Sequence, residues 1–127
     1  MTCFWTGLIK ALKSLTTHKN NPKSIVNAQD LMTFVKKKNC MTKSVKWNNE
    51  PISEQLMKEN MDAINELDVA KINQGYDWSS CDPVLLLISE IFKINISHMH
   101  NGNKLSYICE GAQHHITVYS NIGHFWA

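Results

Sequence analysis

Residues 82–109, DPVLLLISEIFKINISHMHNGNKLSYIC, constrain the fold more than any other stretch, because their hydrophobic period changes in mid-run. Up to Phe92 the apolar residues are nearly continuous, as in a helix covered on most sides. Asp82 followed by Pro83 predicts the helix start: an acidic cap, then a proline at the first helical position, where its missing N–H is not needed. Beyond Phe92, Ile94 and Ile96 alternate with polar neighbours, which is the period of a strand. Asn101-Gly102 then supplies the two residues that best tolerate the positive φ angles of a tight hairpin. Leu105 to Cys109 reads as the returning strand. A covered helix running straight into a hairpin requires helix-on-sheet packing, so the expected class is α+β.

The rest of the chain extends this pattern. Leu8, Ile9, Leu12 and Leu15 recur at helical spacing after Phe4. Residues 16–24 are polar, contain a proline and read as a loop. Leu31, Met32 and Val35 give a second helix face within 28–38, and 39–50 has no clear period. Ser53 is placed to cap a third helix, with Ile52, Leu56, Met57, Met61 and Ile64 as its stripe. Residues 75–83 are rich in turn formers. His115 to Ser120 reads as a third strand, and a turn at 121–123 leads into His124-Phe125-Trp126. The expected order is therefore helices first, then a small, mostly antiparallel sheet.

At 127 residues one hydrophobic core is expected, and 1–127 reads as a single domain. Apolar content of 43% with 19% charged residues excludes a disordered chain. A net charge of +2 is too small to indicate nucleic acid, and Lys36, Lys37 and Lys38 read as a solvated helix end. The apolar run from Val84 to Ile88 is too short for a membrane span. Cys3, Cys40, Cys81 and Cys109 form no Cys-x-x-Cys pair, so a zinc ribbon is not expected. Their wide spacing without a signal peptide points to a reducing, cytoplasmic setting, where the Asn95-Ile96-Ser97 sequon is silent.

Chemistry is expected at Cys3. It opens the first helix, whose N-terminus favours the thiolate form. A cysteine nucleophile needs a base that is near in space rather than in sequence. Of six histidines, His18 lies in the polar loop, and His98 and His100 read as edge residues beside the hairpin. His114 and His115 begin a strand, and His124 sits between a glycine and two aromatics. Cys40, Cys81 and Cys109 read as structural thiols, Trp78 as a core cap, and Asp82 as a helix cap rather than an acid.

Three blocks in order complete the pattern: "CFWTGLIKAL", "GYDWSSCDPVLLLISEIFKINISHMHNG" and "HITVYSNIGHFW". Their order and spacing resemble the ovarian tumour (OTU) domain cysteine proteases over nearly the whole chain. The resemblance implies a compact papain-like fold of OTU type, with Cys3 as nucleophile and His124 as general base. It implies a thiol protease of the deubiquitinase kind, acting as a monomer with no metal and no cofactor. Its partner would be ubiquitin or a ubiquitin-like modifier, in host cytoplasm if the source is viral, as the Asn- and Lys-rich composition suggests. Cleavage of a viral polyprotein is a further activity found on this fold.

Two departures from the family pattern stand out. No aspartate precedes Cys3, and Trp126 stands two residues after His124 where Asp or Asn is common. The residue orienting His124 is thus unassigned. A viral papain-like leader-type protease with His114 as base is a second resemblance. An inactive ubiquitin-binding module that keeps the fold is a third reading.

Overall fold

The structure, a computed structural model, describes residues 3–15, 25–71, 81–121 and 123–127. The expected loop at 16–24 with His18, and the turn-rich residues 72–80 with Trp78, lie outside the described residues. Within them the chain runs α1 (Cys3–Lys13), α2 (Ala28–Lys37), β1 (Val45–Trp47), β2 (Glu50–Pro51) and α3 (Glu54–Asn65). A single 3-10 turn (Val69–Lys71) follows, then α4 (Cys81–Phe92), β3 (Ile94–His100), β4 (Asn103–Cys109), β5 (His114–Asn121) and β6 (His124–Trp126).

Local chemistry sets the ends of these elements. The Ser53 hydroxyl accepts a hydrogen bond from the Leu56 amide at 3.1 Å, and the Asn27 side chain accepts one from Asp30 at 2.9 Å. Each cap satisfies an amide that has no partner within its helix. Ser53→Ala is expected to lower the unfolding free energy by about 1 kcal/mol, read from the denaturant midpoint. The start of α4 differs from expectation by one residue. Cys81 is already helical, so Asp82 lies in the first turn instead of at the cap, and its carboxylate accepts a hydrogen bond from the Tyr107 hydroxyl.

The β3–β4 hairpin turns at Asn101 and Gly102, whose φ angles are 50° and 83°. Both lie in the left-handed region, as a type I′ turn requires. A second tight turn, missed in the sequence, joins β1 to β2 through Asn48 and Asn49, with φ of 52° and 66°.

Six strands lie in the order β2-β1-β4-β3-β5-β6. Four pairings are antiparallel, but β3 and β5 run parallel, from Ile94 opposite His114 to His100 opposite Ser120. The expectation of helices followed by a sheet is corrected here, since β1 and β2 enter the sheet from between α2 and α3.

The core lies between the helices and one sheet face. Val84, Leu85, Leu86, Leu87 and Ile88 of α4 are buried with Ile94, Ile96, Tyr107, Ile116 and Val118 of the strands. Burying each large aliphatic side chain contributes about 1.5–3 kcal/mol. Leu8 and Leu12 of α1, Leu31 and Val35 of α2, and Ile64 of α3 join the same cluster. Glu90, near the end of α4, ties the helix to the turn that leads into β1: it accepts the Ser44 amide at 2.8 Å and pairs with Lys93. Among the described residues no helix is long and apolar enough to cross a membrane.

Candidate active site

The folded chain brings its two ends together. The Phe4 ring, in the first turn of α1, meets the Phe125 ring of β6 edge-on at 4.7 Å. Three residues further along α1, glycine lets the helix settle onto the strand. A Cβ on Gly7 would stand 2.9 Å from Phe125 Cδ1 and 3.3 Å from the Trp126 Cα. Alanine at an ordinary helical position would stabilise by about 1 kcal/mol. At this one it must push both a packed ring and the backbone of β6. Overpacking of that kind outweighs the propensity gain. Gly7→Ala is expected to lose about 1 kcal/mol net, visible as a reduced midpoint of thermal unfolding.

His124 opens β6 and its side chain is exposed. Alternation along this short strand sends Phe125 into the core and leaves His124 and Trp126 outside it. The imidazole stacks on Trp126 with centroids 5.6 Å apart and planes at 18°. Cys3 opens α1, one residue from Phe4, but its side chain lies outside the described residues, and so does its distance to any imidazole. His114 is placed differently. It starts β5 opposite Ile94, six residues before Ser120, the partner of Phe125. Six strand residues span about 20 Å. The first turn of α1 therefore lies beside the strand of His124, at the far end of β5 from His114.

Among the other thiols, burial pushes Cys40 and Cys109 up, with Glu90 adding to the effect at both and Lys93 opposing it. Both are free thiols that stay protonated at neutral pH, in keeping with a structural role. The Cys81 side chain lies outside the described residues.

A polar cluster that sequence reasoning missed lies next to Phe125. His98 and His100 are corrected from edge residues to members of a central strand, because β5 pairs with the free side of β3. His98 is fully buried, 5.7 Å ring to ring from Phe125. Its Nε2 lies 2.6 Å from Ser120 Oγ, and the same oxygen lies 2.8 Å from His100 Nδ1. One hydroxyl carries one proton. Ser120 thus donates to one imidazole while the other donates to it, so the two tautomers are coupled. Burial, with the neighbouring His100 second, lowers the His98 pKa from 6.5 to about 4. Asp82 faces this cluster from α4, and burial raises its carboxyl above the ordinary value against the opposing effects of Tyr107 and His100. One signal was available in the sequence: His98 continues the Ile94, Ile96 alternation and so falls on the core face.

A groove of about 440 Å³ lies between β1, β2 and α3, lined by Lys43, Lys46, Ile52, Met57 and Ile108 among others. It sits at the opposite edge of the sheet from β6. Among the described residues no cluster of three or more His, Cys, Asp or Glu is placed to hold a metal ion. No family model, curated protein or solved structure matches this chain.

Proposed function

We propose that this chain is a cysteine isopeptidase of papain-like, OTU type, which removes ubiquitin or a ubiquitin-like modifier from lysine side chains. The observation that carries the reading is the seating of the first turn of α1 against β6, with Phe4 on Phe125. It brings the helix that Cys3 opens against the strand that His124 opens, with Phe125 rather than His124 turned toward the helix. The helix N-terminus favours the Cys3 thiolate, and His124 accepts the thiol proton. The thiolate attacks the carbonyl carbon of the modifier's C-terminal glycine. The tetrahedral intermediate then expels the lysine amine, which takes its proton from the imidazolium. Water, deprotonated by His124, hydrolyses the thioester and frees Cys3. Backbone amides at the start of α1 are suited to the oxyanion. A reducing cytoplasm keeps such a thiol available, and the exposure of His124 suits a protein-sized substrate.

Hydrolysis of a fluorogenic ubiquitin C-terminal amide tests this. Cys3→Ala is expected to reduce kcat by roughly a thousandfold or more, and His124→Ala by about a hundredfold or more, with His114→Ala close to the parent. Unchanged turnover in Cys3→Ala would contradict the reading. One observation favours the alternative of a non-cleaving ubiquitin-binding module: Phe125 turns toward α1, whereas His124 stands on the alternate side of β6. Reversible ubiquitin binding without turnover would support that alternative.

A further inference from the structure

Three rings share the exposed side of the last strand pair. Tyr119 of β5 and Trp126 of β6 are register partners, stacked at 5.9 Å with planes 14° apart. Trp126 also stacks with His124 at 5.6 Å and 18°. Among the described residues no side-chain hydrogen bond to the His124 ring is seen, and its plane follows that of the indole to within 18°. We propose that Trp126, itself held by Tyr119, is the positioning residue for the His124 imidazole. This rests on the proposed role of His124 as general base.

The physics of a stacked positioner differs from that of a hydrogen-bonded one. A carboxylate or amide partner selects one tautomer through one ring nitrogen. An indole face leaves both nitrogens open and restricts the ring's rotation instead. It also attracts the ring more strongly once it is protonated, because the face of the indole is electron-rich. The imidazolium is the form that accompanies the thiolate and protonates the leaving amine. The stack therefore tightens as charge develops on His124. Flat contact is the essential property: phenylalanine can supply it and alanine cannot.

The test combines turnover with the NMR positions of the His124 ring protons, which the neighbouring indole shifts upfield. Trp126 is 40% exposed, so its replacement leaves the core intact. Trp126→Ala is expected to lower kcat about tenfold on the ubiquitin amide with KM unchanged, and to return the ring protons to unstacked positions. Trp126→Phe should stay within about threefold of the parent. Tyr119→Ala should fall between the two. Ring protons that do not move in Trp126→Ala, or turnover no better in the Phe variant than in the Ala variant, would overturn the positioning role and leave the isopeptidase standing. A parent that turns over no substrate would overturn the isopeptidase reading and this role with it, whatever the ring shifts show.

Discussion

Phe125→Ala is expected to lower the unfolding free energy by about 3–5 kcal/mol. The ring is 1% exposed and lies between the Phe4 ring at 4.7 Å and the His98 ring at 5.7 Å. Removing it loses the transfer energy of a whole ring and leaves a cavity that Gly7, with no side chain, cannot fill. The aromatic contacts disappear as well. A domain of this size has about 5–15 kcal/mol in all, so the loss is a large fraction of the total. Its location matters as much as its size. β6 is three residues long and, among the described residues, pairs with β5 alone, so Phe125 is its chief anchor to the body of the fold. Amide exchange in β6 and in the first turn of α1 should accelerate first. Denaturant titration should show a lower midpoint with an unchanged slope, and Phe125→Leu should recover most of the loss. Wild-type stability in Phe125→Ala would mean that the two chain ends are not fastened through this ring.

The second large effect is on the pH dependence of stability. His98 has an ordinary pKa of 6.5 and is lowered to about 4 in the folded chain, first by burial and then by His100. Between those values the unfolded chain binds a proton that the folded chain excludes. The unfolding free energy therefore falls as pH drops from about 6.5 to about 4, and this contribution is flat outside that window. A depression of that size corresponds to a total loss of about 3 kcal/mol. Asp82 acts in the opposite sense, because its raised carboxyl takes a proton more readily in the folded state. Its effect is confined to pH values just above the ordinary carboxylate range.

His98→Phe separates the two contributions. It removes the titrating group, keeps a ring beside Phe125, and leaves Ser120 bonded to His100. The slope between pH 6.5 and 4 should largely vanish in that variant. Ser120→Ala should instead destabilise at all pH values by about 1–3 kcal/mol, since it removes the buried hydroxyl that both imidazoles share. A wild-type protein whose stability does not change across the window would contradict the buried, neutral assignment of His98.

How far the sequence could be read depended on whether a feature was local. Ser53 as a cap, the Asn101-Gly102 turn and the covered helix α4 depend on a few adjacent residues, and the structure has all three. Strands β1 and β2, three and two residues long, are too short to display an alternating period. Only Asn48-Asn49 hinted at them, through the tolerance of asparagine for positive φ. Which strand lies beside which is settled by long-range packing. The parallel β3–β5 pair was therefore not legible, and with it the meeting of His98 with Ser120. At the candidate site, Phe125 and not His124 turns toward α1, and from the order of blocks only the approach of α1 to β6 was foreseen. The stack of Tyr119, Trp126 and His124 was not, because it depends on the register between β5 and β6.

The central claim is that Cys3 is an activated nucleophile served by the imidazole at the other end of the chain. The most direct measurement is reaction of the full chain with ubiquitin carrying a C-terminal electrophile, followed by mass mapping of the adduct. The account predicts one covalent ubiquitin, attached at Cys3 and at none of the other three cysteines, lost in Cys3→Ala and strongly slowed in His124→Ala. Absence of any adduct, or an adduct undiminished in Cys3→Ala, would contradict it.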